Sequence, residues 1–252
     1  MQYKYAKEQL DYSDFSSGRV FYSLPGHPAF PVRLASEIFQ RCLAQRATIY
    51  GNTSPCTLYD PCCGAAYHLS VLVYLHGEHI QEVIGSDIDE KAVALAARNL
   101  GLLNRDGLNE RIREISAVFD QYGKASHQEA LQSASVLSQK LSASTGGRLL
   151  KTKVFQASST DRKTISSQIQ PNTVDVVFTD VPYGRHSQWR EPAYDSLSNP
   201  LRSMLDALLG VLSADSIVAI ASDKQQKAAH NSFQRLERFQ IGKRRVVILR
   251  PV

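Results

Sequence analysis

Two clusters in the 252-residue chain join reactive side chains to turn formers: Asp60-Pro61-Cys62-Cys63-Gly64 and Thr179-Asp180-Val181-Pro182-Tyr183-Gly184. Each follows a run that reads as a buried strand, Thr57-Leu58-Tyr59 in one case and Val174–Thr179 in the other. In the first cluster Gly64 lets the backbone turn tightly and come close to a ligand. Asp60 can accept a hydrogen bond from an amino group or attract a positive charge. A phosphate-binding turn would not set a carboxylate against its ligand. Neither the G-x-G-x-x-G fingerprint nor a P-loop occurs, which argues against NAD and ATP. The chemistry fits a cationic ligand without phosphate, of which S-adenosyl-L-methionine is the common example.

A further acid pair supports this reading. Ser86-Asp87-Ile88-Asp89 ends the next strand, Glu82–Ser86, where an acid can bind both hydroxyls of a ribose. Asp87 takes that role, Ile88 lies against an adenine ring, and Asp89 caps the following helix. The alternative is that both acids simply favour a helix N-terminus.

The second cluster suits attack by a nitrogen whose lone pair is delocalised into a base. Asp180 can accept the N–H and draw off its proton, backbone carbonyls held by Pro182 can accept a second N–H, and Tyr183 offers a stacking face. A plain strand-ending turn would explain the proline and glycine. It leaves the carboxylate and the tyrosine unexplained.

These residues must be positioned by alternating strands and helices. After Pro31 a helix carries Leu34, Ala35, Ile38, Phe39, Cys42 and Leu43 on one face. Helices are expected over Tyr67–His76, after Asp89 (with Ala92, Val93, Leu95, Ala96 and Leu100 apolar) and over Leu201–Leu212 behind Asn199-Pro200. Further strands are expected at Thr152–Ala157 and Ser216–Ala221, and a hairpin joins Phe239–Ile241 to Arg244–Leu249. The expected fold is α/β: a doubly wound, mostly parallel, seven-stranded sheet with an antiparallel strand at one end.

One domain is expected over residues 1–252, with residues 1–50 as an N-terminal extension and helix. The aromatic stretch 1–30, with turns at Ser16-Ser17-Gly18 and Leu24-Pro25-Gly26, should pack across the fold. Residues 101–150 hold no strand signal and read as a two-helix insertion. Its second helix has a capping box at Ser126…Glu129 and stops at Gly146-Gly147. Such an insertion serves either to grip substrate or as a stabilising lid.

Composition is that of a folded protein, 43% hydrophobic and 21% charged. No signal segment is evident and no uncharged run approaches the roughly 18 residues of a membrane span, so a cytoplasmic protein without a membrane partner is expected. The four cysteines (Cys42, Cys56, Cys62, Cys63) form no C-x-x-C pair, and no metal site is expected. A net charge of +5 leans towards a polyanion. The cations spread through Arg98, Arg105, Arg111 and Arg113, then Arg148, Lys151 and Lys153, then Lys243, Arg244 and Arg245. Each group also reads as an ordinary solvated face.

With both clusters placed, the chain resembles class I methyltransferases bearing an NPPY-like motif, here DVPY. More narrowly it resembles the AviRa family of 23S ribosomal RNA guanine methyltransferases, known from avilamycin (orthosomycin) resistance. The resemblance runs through Pro28–Ala35, DPCCG, SDID, the helical insertion, TDVPYG and the basic hairpin. It implies that Asp60, Pro61, Cys62, Cys63, Gly64 and Asp87 hold S-adenosyl-L-methionine, and that Asp180, Pro182 and Tyr183 face a guanine. It implies 23S rRNA as the partner, within the 50S subunit or as naked RNA, and a monomer is expected. Two positions depart from the family pattern. Gly64-Ala65-Ala66 replaces a glycine-serine-glycine ending, and Ser158-Ser159 stands where an acid often meets the adenine amino group, leaving Ser158 that role. Other readings are a catalytically decayed RNA-binding relative, and a methyltransferase of DNA adenine or protein glutamine.

Overall fold

The computed structural model describes residues 3–23, 29–181, 199–223, 226 and 228–252. The expected turn at Leu24-Pro25-Gly26, the start of the Pro28–Ala35 segment, and Pro182, Tyr183 and Gly184 lie outside them.

Seven strands form one sheet: β1 (Cys56–Asp60), β2 (Ile80–Asp87), β3 (Lys151–Gln156), β4 (Val174–Asp180), β5 (Leu212–Ser222), β6 (Phe233–Ile241) and β7 (Arg244–Pro251). Their order is β3-β2-β1-β4-β5-β7-β6. The first five are parallel, whereas β7 runs antiparallel to β5 and to β6. The order reverses between β1 and β4, and a ligand crevice is expected beyond the carboxyl ends at such a switch point. Leu58 pairs with Val176 and Tyr59 with Val177, so both motif-bearing strands end side by side at that crevice.

Side chains of the central strands alternate between two cores, the period-2 behaviour of a sheet covered on both faces. Leu58, Val176, Phe178, Ile217, Ala219 and Ala221 join the first core. It also holds residues of α1 (Val32–Tyr50), α2 (Tyr67–His76) and the N-terminal segment. Tyr59, Val177, Val218 and Ile220 join the second, against α6 (Arg162–Gln168) and α7 (Pro200–Leu208). Between α2 and β3 come α3 (Glu90–Gly101), α4 (Arg105–Tyr122) and α5 (Ala125–Thr145), the last two being the expected insertion. α5 docks on α2, where Ser144 Oγ donates to Val73 O at 2.9 Å.

The N-terminal segment is part of the fold. Phe15, Val20 and Phe21 are buried, and Phe21 meets Tyr67 and Tyr74 edge-on at 5.4 and 5.8 Å. Fully buried Glu37 accepts the backbone N–H groups of Lys4, Tyr5 and Ala6 and is bridged by Arg41.

Two local expectations need correction, and one helix is absent from the sequence reading. α7 ends at Leu208 rather than Leu212, and Leu212 instead begins β5 opposite Val174. The apolar run through Gly210 fits either state, and the glycine breaks the helix. α5 starts at Ala125, before Ser126, without a side-chain cap, and Glu129 pairs with Arg19 instead of closing a capping box. α6 has no hydrophobic stripe to announce it; only Asp161, which caps it through Lys163 and Thr164, marks its start.

Several cations have partners within the chain. Arg148 donates to Gly77 O and Ile80 O at 3.0 and 2.9 Å. Arg98 and Arg111 both pair with Glu114 and flank the Tyr22 ring at 3.7 and 4.3 Å. Among the described residues no helix is long and apolar enough to cross a membrane.

Candidate active site

The turn after β1 is fixed from beneath by β2. Cys63 N–H donates to Ser86 O at 2.9 Å, and Gly64 N–H donates to Asp87 Oδ2 at 2.8 Å. The other Asp87 oxygen accepts the N–H of Asp89 at 3.0 Å. Each oxygen keeps a second lone pair, so Asp87 shapes the turn and can still accept from a ligand hydroxyl. Gly64 is left-handed at φ +53, and a Cβ there would meet nothing within 4 Å. The turn therefore presents bare backbone to open space. Beneath it the fit is tight: a Cβ on Gly85 would lie 3.0 Å from Cys63 Sγ.

The Gly64-Ala65-Ala66 departure has a structural answer. Ala66 takes the left-handed conformation itself, at φ 54, and begins α2. The methyl is wholly buried rather than projecting into the crevice. Backbone strain of about 1–2 kcal/mol is accepted at this position.

Asp60 lies under the turn and is fully buried. Its Oδ1 accepts the N–H of Cys62 at 2.9 Å, and its Oδ2 is 3.2 Å from His68 Nε2. That oxygen has no aligned hydrogen bond among the described residues. Burial pushes the carboxyl up to about 7, against the pull of the Cys62 amide. His68 is also buried and held below the usual imidazole range by desolvation; its Nε2 lies 3.4 Å from Phe178 O. A buried carboxylate suits a cationic ligand better than a phosphate.

At the β2 edge Ile88 is 40% exposed, an apolar surface beside Asp87. Asp89 caps α3 through the N–H of Lys91 at 2.9 Å, as expected. The end of β3 lies alongside, with Ala157 N–H on Asp87 O at 3.0 Å. Ser158 Oγ is engaged locally with Thr160 Oγ1 at 2.9 Å. Cys63 is buried and acts through its backbone, while Cys62 and Pro61 continue the wall of the turn.

Asp180 ends β4 opposite Ala221 of β5. Its Oδ2 lies 3.6 Å from Arg244 Nε, and the Arg244 guanidinium sits 4.9 Å over the Phe30 ring. Pro182 and Tyr183, the remaining expected guanine contacts, fall outside the described residues. The structure thus groups Asp60, Gly64 and Asp87 around one turn and sets Asp180 on the neighbouring strand across the switch point.

The match to known proteins covers the same elements. The rRNA methyltransferase AviRa family matches residues 1–244. The 23S rRNA (guanine(2535)-N(1))-methyltransferase of Streptomyces viridochromogenes is 39% identical over 250 residues, 98% of this chain and 95% of that protein. The chain belongs to the AviRa family of rRNA methyltransferases. Two solved structures of the Streptomyces viridochromogenes AviRa enzyme agree. One, at 39% identity, has a TM-score of 0.84 and covers 98% of this chain and 96% of that one. The other, at 38% identity, has a TM-score of 0.85 with 99% and 96% covered. The fold class expected from the sequence, the family and methyltransferase activity all stand.

Three residues around the AviRa-family site escaped the sequence reading. His68 sits one turn into α2, and a lone histidine on an apolar helix was its only signal. Arg244 reads in the sequence as one of the general cations, although the antiparallel last strand begins at the ligand edge. Asn99 is fully buried; its Nδ2 donates to Ala65 O at 2.8 Å and Tyr22 O at 2.9 Å, while Oδ1 accepts Tyr22 N–H at 2.8 Å. It ties the turn after β1 to the N-terminal segment, a long-range link with no local pattern.

Proposed function

We propose that this enzyme transfers a methyl group from S-adenosyl-L-methionine to N1 of a guanine in 23S rRNA. The observation that carries the reading is the pair of acids at the switch point. Asp87 is clamped to the bare turn of Gly64, and Asp180 stands at the end of the strand next to β1. The named activity of the Streptomyces relative supports the substrate and the position.

Asp87 would hold the ribose and Ile88 the adenine, with the Gly64 turn running along the amino-acid end. Asp60 would act beneath that turn, its charge favouring a ligand cation. Ser158 would supply a hydroxyl near the adenine edge. The cofactor supplies a methyl already activated by its sulfonium. The protein's task is then to orient the base and to accept the N1 proton, which falls to Asp180. Pro182 and Tyr183 would complete the guanine pocket through a carbonyl acceptor and a stacking face. Methylation at N1 blocks a Watson–Crick donor, and altered sensitivity to an orthosomycin such as avilamycin is the cellular effect to look for. A ribosomal RNA substrate also supports a cytoplasmic location.

The test is transfer of labelled methyl to 23S rRNA transcripts and to 50S subunits, with Asp180→Asn alongside. Incorporation into one or both, lowered about 100-fold or more in the variant, is expected. Equal incorporation by both proteins removes Asp180 from the chemistry.

A further inference from the structure

Arg244 opens β7, and the direction of that strand gives it a special place. The parallel strands β4 and β5 deliver their last residues to the ligand edge, whereas antiparallel β7 delivers its first. Arg244 thereby reaches Asp180, with Nε 3.6 Å from Oδ2, while Phe30 supports the guanidinium plane at 4.9 Å. A gap of 3.6 Å is an ion pair without a hydrogen bond. Arg244 Nε is buried and has no hydrogen-bond partner among the described residues. The side chain is still 22% exposed, so its donors remain within reach of the crevice. Among the described residues, the other charged or titratable groups here are Asp180 on β4, His68 on α2, which feels the charge of Asp180, and Asp60 behind His68.

The N1 edge of guanine presents an N–H next to the O6 carbonyl. When N1 gives up its proton, negative charge spreads onto O6. A carboxylate beside a guanidinium offers the matching pair, an acceptor for the N–H and a donor for the oxygen. We propose that Arg244 is the second catalytic group of the base pocket: it donates to guanine O6 while Asp180 accepts the N1 proton. This rests on the N1 reading given above. In the step, the N1–H electron pair stays on nitrogen and forms the N1–methyl bond. The methyl–sulfur bond breaks with its pair going to sulfur, and the proton ends on Asp180.

The test uses the full chain with Arg244→Gln and Arg244→Lys. Single-turnover methyl transfer to a 23S rRNA transcript is followed from neutral to alkaline pH, with separate measurements of RNA affinity and S-adenosylhomocysteine affinity. Arg244→Gln is expected to lower the maximal rate about 100-fold with both affinities unchanged. Its rate should climb with pH, as hydroxide takes over removal of the N1 proton, and Arg244→Lys should recover part of the loss. An unchanged rate overturns the proposal. So does weaker RNA binding at an unchanged rate, which marks a phosphate contact. Loss of folding or of S-adenosylhomocysteine affinity in both variants marks a structural role and overturns it equally. Nucleoside analysis of the wild-type product separates these outcomes from failure of the N1 reading itself: a product other than 1-methylguanosine indicts that reading, whatever Arg244 does.

Discussion

The backbone N–H of Gly64 donates to Asp87 Oδ2 at 2.8 Å, so the residue expected to hold the ribose also holds the turn proposed to run along the cofactor. Replacing Asp87 with alanine should therefore act twice. Two backbone N–H groups, those of Gly64 and Asp89, lose their acceptor, at about 1–3 kcal/mol for each one left buried. S-adenosylhomocysteine affinity should fall by more than tenfold. Calorimetry and a denaturant melt separate the two effects, and full cofactor affinity in a destabilised variant would reduce Asp87 to a scaffold residue.

Ala66→Gly tests whether the alanines in this turn weaken the site. Glycine relieves about 1–2 kcal/mol of left-handed strain. It gives back about 0.5–1 kcal/mol in chain entropy and about 0.8 kcal/mol of buried methyl. Stability should therefore stay within about 1 kcal/mol of the parent, with unchanged cofactor affinity. A large gain in affinity would show that Ala66 compromises the site.

Asp60 predicts a pH dependence of stability. Burial raises its carboxyl from 3.8 to about 7 in the folded state, so between these values the folded chain holds a proton that the unfolded chain has released. Stability from this group is greatest below the lower value, declines as pH rises through the window and levels off above about 7. Asp60→Asn should remove that slope. Binding of S-adenosylmethionine should also tighten as pH rises through this range in the parent, and not in the variant. Identical melting profiles across the range would refute the assignment.

Asn99 connects Ala65 to Tyr22, and through Tyr22 to Glu114 on the insertion. Asn99→Ala leaves three half-buried backbone groups without that partner, namely Tyr22 N–H, Tyr22 O and Ala65 O. A loss of several kcal/mol in chemical denaturation is expected. Faster hydrogen exchange should appear at both Tyr22 and the cofactor turn; change at only one would break the proposed link.

Much of this could be read in the sequence, and the reasons are local. The strand before Asp60 and the strand before Asp180 are apolar runs closed by strong turn formers, so their ends, and hence the candidate site, are marked directly. Asp89 as a helix cap and Gly146 as a helix stop follow from the same short-range chemistry. The misses have the opposite character. Leu208–Leu212 is apolar enough for helix or strand; Gly210 weakens the helix, and pairing of Leu212 with Val174 decides the strand. α6 lacks an amphipathic stripe. Arg98 and Arg148 are solvent-facing, as they read, and Arg111 is half-buried, yet all three have partners, namely Glu114, Tyr22 and the carbonyls of Gly77 and Ile80. Such partners lie far along the chain, and periodicity carries no information about them. The same holds for His68, placed between Asp60 and Phe178 by the register of β1 and β4.

The most direct measurement is nucleoside mass spectrometry of 23S rRNA after incubation with the enzyme and S-adenosyl-L-methionine, beside an Asp180→Asn control. The account predicts 1-methylguanosine at a single position with the parent enzyme and a trace at most with the variant. Methylation of adenine, of guanine N2, or of no nucleoside at all would contradict it.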